Sequence, residues 1–126
     1  MVNSVTDVVC LLDDDPSVLK AVGRLLSSAG WRVQQFSDPD EFLVYAKMHR
    51  TPVAVIDVWM PLMNGLEVQS RLRELSPSTR VIIFTGKDDL RVRSTALNAG
   101  ASAFLTKPFD DEELLTAVRL ALSSVI

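Results

Sequence analysis

The chain has 126 residues, 48% of them apolar and 23% charged, a length and balance suited to one soluble domain with a substantial core. A formal net charge of −3 without a basic stripe gives no electrostatic case for direct nucleic-acid binding. No apolar run approaches the ~20 residues of a membrane span, no signal-peptide pattern opens the chain, and a single cysteine, Cys10, forms no internal disulfide, so a reducing cytoplasm is the expected location.

Val8–Leu12 is a short apolar run, predicted as the first strand, and it ends in Asp13, Asp14 and Asp15. Cys10 lies within it and reads as a buried, inert thiol. Pro16-Ser17 opens a helix with Asp15 as its N-cap, Val18, Val22, Leu25, Leu26 and Ala29 recur at helical spacing, and Gly30 stops it. Trp31–Phe36 is a second strand, polar at Arg32, Gln34 and Gln35 as an edge strand often is. Ser37 or Asp38 caps the next helix, which starts at Pro39 and carries Phe42, Tyr45, Ala46 and His49 on one side.

Val53–Ile56 is an unbroken, largely β-branched run, the pattern of a strand buried on both faces of a parallel sheet. It stops on a carboxylate, Asp57, and Pro61 with Asn64-Gly65 marks a turn. A third helix from near Asn64 carries Leu66, Leu72 and Leu75 and ends before Pro77. Arg80–Phe84 is a fourth strand ending on Thr85-Gly86; Asp88-Asp89 start a helix with Val92, Ala96 and Leu97, closed by Gly100. A fifth strand around Ser102–Leu105 leads into Thr106-Lys107-Pro108. The last helix starts near Asp110 with Leu114, Val118, Ala121 and Leu122 on its apolar side, and Asp110, Asp111, Glu112 and Glu113 complement its dipole.

Five strands alternating with five helices over short connections define an α/β fold: a doubly wound, five-stranded parallel sheet with helices on both faces, occupying residues 1–126 as one domain. In the common strand order 2-1-3-4-5, taken from the fold class, the first and third strands meet at the switch point. Asp13 and Asp14 after strand one, Asp57 at the end of strand three, Thr85 at the end of strand four and Lys107 after strand five then share one sheet edge.

Carboxylates so gathered repel one another unless a cation relieves them. The Lys107 ammonium is one such cation. A bound hard ion is another, and oxygen ligands with no His or Cys beside them select Mg²⁺ or Mn²⁺ over zinc. Asp57 is then a nucleophile able to take a phosphoryl group as an acyl phosphate, with the metal, Lys107 and Thr85 arranged around the phosphoryl oxygens.

The pieces LLDDDPSV, VIDVWMPLMNG, FTG and LTKPF resemble the receiver domains of response regulators, the CheY-like fold, over nearly the whole chain. The resemblance implies that Asp57 is the phosphorylation site, charged from the phosphohistidine of a sensor histidine kinase or phosphotransfer protein. It implies that Asp14 is a direct metal ligand, that Asp13 acts mainly through water, and that the backbone carbonyl of Trp59 is the third protein ligand. Thr85 and Lys107 take the places of the hydroxyl and lysine of the family, and Phe104 that of its switch aromatic. A cis Lys107–Pro108 peptide is also implied. DVWMP, FTG, AFLTKPF and LLTAV are most similar to the FixJ-type branch, whose members usually carry a helix-turn-helix DNA-binding domain after the receiver. The chain ends at Ile126, which fits either a stand-alone receiver or one taken from a longer regulator.

Rival readings make different demands. A flavodoxin-like cofactor binder wants a Ser/Thr/Gly-rich loop after strand one, where this chain has three aspartates. An aspartyl phosphatase wants a second acid two residues after its nucleophile, where Trp59 stands, and a purely structural reading leaves a surface salt-bridge cluster. A signalling phosphoacceptor, catalysing only its own phosphotransfer and dephosphorylation, satisfies every position. Its expected output is inward movement of Thr85 followed by burial of a partly exposed Phe104. Phosphorylation-dependent homodimerisation through the fourth helix, fifth strand and fifth helix would follow, with Arg91 and Arg93 pairing against the acidic turn at Asp110–Glu113.

Overall fold

The computed structural model describes residues 7–87 and 89–123, so the expected start of the fourth helix at Asp88 lies outside the described residues. In chain order the elements are β1 (Val8–Leu12), α1 (Pro16–Ser28), β2 (Arg32–Phe36), α2 (Pro39–Met48), β3 (Val53–Asp57), α3 (Gly65–Leu75), β4 (Arg80–Thr85), α4 (Leu90–Asn98), β5 (Ala103–Thr106) and α5 (Asp111–Ser123). The five strands form one sheet in the order β2-β1-β3-β4-β5, every pairing parallel.

Alternation along the strands splits the core in two. Ala54 and Ile56 of β3 face a cluster built from Phe42, Leu43 and Ala46 of α2, Val68 and Leu72 of α3, and Val92 and Ala96 of α4. Val53 and Val55 face the other side, against Val22 and Leu26 of α1 and Leu114, Val118 and Ala121 of α5. All five residues of β3 are buried, as its continuous apolar run demands. Burial of each such branched side chain contributes up to roughly 1.5–3 kcal/mol, so β3 is the strand on which both layers depend.

Helix starts follow the capping chemistry. Asp15, Asp38, Asn64 and Asp89 each stand in extended backbone and accept the amide two residues on, at 2.6–3.0 Å. At α5 the Glu113 carboxylate reaches back to accept from the Asp110 amide at 3.0 Å. Gly30 and Gly100 close α1 and α4 at φ 98°, a conformation that favours glycine.

Some expected positions are corrected. Leu75 and Leu97 are 40% and 44% exposed, because the buried stripe of α3 runs through Val68 and Leu72 and that of α4 through Val92 and Ala96. Leu75 ends α3 and lines a surface groove with Leu43 and Val44 of α2 instead. His49 caps the end of α2 rather than facing the core, exposed and stacked on the Tyr45 ring at 4.3 Å. Strand β2 starts at Arg32, one residue later than expected, and β5 spans Ala103–Thr106. Cys10 is fully buried, and burial pushes its thiol up to about 12, which suits an inert side chain.

Candidate functional site: an acidic cluster at the sheet switch point

The carboxyl ends of β1 and β3 lie side by side, Leu12 opposite Ile56, and the next residues of each strand are carboxylates. Asp13 is buried, its amide donating to the Phe36 carbonyl of β2 at 3.1 Å. One of its oxygens accepts from the Asp15 amide at 2.9 Å, which leaves Oδ2 facing the site. Asp57 is 5% exposed, and Asp14 is exposed at the rim. One oxygen from each of the three carboxylates can be chosen so that all lie within 4.8 Å of one another.

Lys107 reaches in from the far end of β5. Its amide donates to the Thr85 carbonyl at 2.7 Å, and its peptide with Pro108 is cis. The ammonium stands 3.2 Å from Asp13 Oδ2 and 3.5 Å from Asp57 Oδ1. It also sits 4.6 Å from the centre of the Phe84 ring, whose face offers further cation stabilisation. Against this, burial pushes the Asp57 carboxyl up from 3.8 to about 6, with repulsion from Asp13 adding to the rise, Lys107 opposing it and Asp14 adding last. The cluster therefore remains short of positive charge. All the donors in it are hard oxygens, with neither imidazole nor thiolate, a set that fits Mg²⁺ or Mn²⁺.

Together with Asp15, Trp59, Gly86 and Lys87, these four residues line an open depression of about 440 Å³. Trp59 stands at its mouth, 46% exposed. Thr85 is fully buried at the end of β4, one residue beyond Phe84, the partner of Asp57 in the register. Its hydroxyl accepts from the Lys87 amide at 3.1 Å and donates to the Lys87 carbonyl at 3.2 Å, so it is turned to its own loop.

Phe104 departs from expectation. The ring is 8% exposed and belongs to the core cluster on the α2–α3–α4 side, with the Arg93 guanidinium 4.9 Å from its centre. Arg93 is thus engaged within the chain. Glu112 pairs with Arg119 at 3.6 Å and Glu113 caps its own helix, so the expected charge pairing across a dimer has fewer free partners than the sequence suggested. Arg71 pairs with Glu67 at 3.2 Å on the surface of α3.

Three contributors to the site went unrecognised in the sequence: Phe84 beneath the ammonium, Lys87 holding the Thr85 hydroxyl, and Gly65. A methyl group at Gly65 would overlap the carbonyl oxygen of Asp57. The Gly65 amide donates to the Val58 carbonyl at 2.8 Å, which pins the start of α3 to the chain leaving β3. Asn64-Gly65 announced a turn, and only the close approach reveals why the second residue is glycine.

A parallel sheet in the order 2-1-3-4-5, with a carboxylate cluster and a lysine at the switch point, defines a CheY-like α/β domain. Residues 9–119 match the response regulator receiver domain family, and the chain belongs to that family, a component of two-component systems. It is 42% identical over 115 residues to the response regulator protein TodT of Pseudomonas putida, covering 91% of this chain and 51% of that protein. The chain spans about half the length of the curated relatives it matches. Among solved structures, FixJ-N superimposes with a TM-score of 0.89 at 30% identity, covering 98% of each chain. The beryllofluoride-activated NtrC4 receiver domain dimer superimposes at 0.90 with 29% identity, covering 94% of this chain and 98% of that one. Among the described residues no helix is long and apolar enough to cross a membrane.

Proposed function

We propose that residues 1–126 act as one receiver domain that accepts a phosphoryl group on Asp57 from the phosphohistidine of a sensor histidine kinase or phosphotransfer protein. The observation that carries this reading is the convergence of Asp13, Asp14 and Asp57 within 4.8 Å, with the Lys107 ammonium 3.5 Å from Asp57. With its carboxyl raised to about 6, Asp57 is still mostly ionised at pH 7 and more basic than an ordinary carboxylate, which suits a nucleophile.

In the transfer, an Asp57 oxygen bonds to phosphorus as the bond from phosphorus to the imidazole nitrogen breaks, and the departing nitrogen keeps the electron pair. Lys107 follows the negative charge from the carboxylate onto the phosphoryl oxygens. Thr85, once its hydroxyl leaves Lys87, donates to one of those oxygens. Asp14, Asp57 and the Trp59 carbonyl would hold Mg²⁺ or Mn²⁺, with Asp13 acting through water, and the ion would neutralise charge on the phosphoryl group. Phosphorylation in this reading shifts α4, β5 and α5 through Thr85 and Phe104 and favours a homodimer, in keeping with the dimer formed by the beryllofluoride-activated NtrC4 receiver. The cytoplasm is the location that fits a kinase-coupled receiver. An output in transcription through a further domain is supported by the match, over about half its length, to a Mycobacterium tuberculosis relative named as the probable transcriptional regulatory protein TcrX.

Incubation with Mg²⁺ and phosphoramidate, followed by intact mass measurement, tests the reading. One phosphoryl adduct is expected on the wild-type chain, absent in EDTA and absent in Asp57→Asn. A wild-type chain that gains no adduct under these conditions overturns it.

A further inference from the structure

Two buried polar side chains among the described residues, Thr51 and Gln69, have no part in the acidic site, and of these Gln69 bonds across two helices. Gln69, in the second turn of α3, is 2% exposed within a helix whose other buried residues beyond the N-terminal glycine are Val68 and Leu72. Its Nε2 donates to the Ala96 carbonyl in α4 at 3.0 Å, across 27 positions of sequence. Its Oε1 is buried and meets no hydrogen-bond partner among the described residues. An amide in a core normally satisfies both ends, so the bond made by Nε2 is set against the cost of leaving Oε1 unpaired.

The acceptor matters. Ala96 lies near the end of α4, and its carbonyl also accepts the Ala101 amide at 3.0 Å as the chain turns through Gly100. Helix α4 is short, and only Val92 and Ala96 of its residues are buried, while Leu90 and Leu97 are exposed. A helix with so narrow an apolar stripe is weakly held by packing, so a directional bond has a large share in fixing its seat. At the other end, α3 starts on Gly65, in close approach to the Asp57 carbonyl. The Asp57 backbone, the first turn of α3, Gln69 and the end of α4 are therefore consecutive links.

We propose that Gln69 is a positioning residue that fixes the seat of α4 against α3 and couples that seat to the backbone at Asp57. The unpartnered Oε1 makes the seat reversible: a displacement of α4 that admits water or a donor to this oxygen recovers a missing hydrogen bond. The coupling to Asp57 rests on the phosphoacceptor reading above; the tether itself does not.

Heteronuclear NMR on the whole chain provides the test. In the wild type the Gln69 side-chain amide should show slowly exchanging, distinctly shifted protons, and a solvent-averaged pair would overturn the tether without any variant. Gln69→Met keeps the volume and removes both the bond and the orphan oxygen. It should lower hydrogen-exchange protection of α4 amides about tenfold while leaving β3 and β4 amides unchanged. Protection in α4 within about twofold of wild type, or a loss shared equally by the sheet, would overturn the proposal. Beryllofluoride with Mg²⁺ should then move the Gln69 amide resonances of the wild type more than those of α1. Failure of the wild type to bind beryllofluoride would count against the phosphoacceptor reading alone; binding that leaves Gln69 unmoved would overturn the coupling.

Discussion

Asp57→Asn should make the metal-free domain more stable. The substitution keeps the shape of the side chain and removes its charge. Burial and the neighbouring Asp13 push the Asp57 carboxyl from 3.8 to about 6, and at roughly 1.4 kcal/mol per tenfold change in proton affinity the ionised group costs the fold about 3 kcal/mol at pH 7. The Lys107 contact at 3.5 Å is already contained in that net rise; what reduces the gain is the Asn amide group, which brings donors beside an ammonium that keeps Asp13 at 3.2 Å. A net gain of about 1–3 kcal/mol remains, which for a domain of this size raises Tm by roughly 5–10 °C.

The sign with pH follows from linkage. Between the ordinary carboxylate range and about 6 the folded chain binds more protons at Asp57 than the unfolded chain does, so stability from this group falls as pH rises through 6. Below the unfolded value both states are protonated and the cost is absent. The advantage of Asp57→Asn should accordingly be full above pH 7 and shrink steadily toward pH 4. Urea unfolding of both chains in EDTA at pH 5 and pH 7.5, read by Trp fluorescence, measures it. A variant no more stable than wild type at pH 7.5, or an advantage equal at the two pH values, would refute the electrostatic reasoning.

Saturating Mg²⁺ should stabilise the wild type by about 1–3 kcal/mol through mass action and Asp57→Asn by much less, as read by thermal unfolding with and without the ion. Gly65→Ala forces a methyl group against the Asp57 carbonyl; a loss of about 1–3 kcal/mol in urea unfolding is expected, with weaker Mg²⁺ binding by fluorescence titration. Trp59→Ala opens the mouth of the depression lined by the carboxylates, and the lifetime of the Asp57 phosphoryl group, followed by intact mass, should fall a few-fold, under ~1 kcal/mol of barrier. Phe104→Leu retains much of the ring's volume, so the phosphoramidate reaction should persist while the beryllofluoride-dependent dimer weakens in sedimentation; full dimerisation would make Phe104 core packing only.

The sheet and its edge were legible because the governing signals are local. A β-branched run such as Val53–Ile56 can hardly be anything but a doubly covered strand, and a carboxylate directly after it must emerge at the carboxyl edge. Asp13, Asp14, Asp57 and Lys107 share one edge because every strand of a parallel sheet ends on the same side, while the order that makes β1 and β3 neighbours came from the fold class and not from the spacing of residues. What stayed hidden is rotation about side-chain bonds and the reach of short helices. Spacing placed Thr85 at the site but said nothing of its hydroxyl turning to Lys87. Phe104 was expected half out, yet the core beside Val92 and Ala96 has room for the ring, and Arg93 covers it. Leu97 follows buried Ala96 around a helix too narrowly packed to bury both.

Gly65 and Gln69 belong to a different class of hidden residue, since each is defined by a partner outside its own helix, the Asp57 carbonyl for Gly65 and the Ala96 carbonyl of α4 for Gln69. A glycine after Asn64 reads as a turn, and a glutamine among Val68, Ser70 and Arg71 reads as a solvent face. Their meaning arises only when α3 lies between the end of β3 and the end of α4. The two positions are four residues apart, about 6 Å along the axis, so α3 carries displacement between them as a nearly rigid piece. A hydrogen bond weakens steeply within a few tenths of an ångström beyond its ordinary range. The Gln69–Ala96 bond at 3.0 Å is therefore sensitive to motions far smaller than the length of the helix that delivers them. In the proposed coupling α3 is a route from Asp57 to α4 separate from the one proposed through Thr85 and Phe104, and the two are separable by their variants: Gln69→Met should loosen α4 while leaving Phe104 seated, whereas Phe104→Leu should leave the Gln69 amide protected.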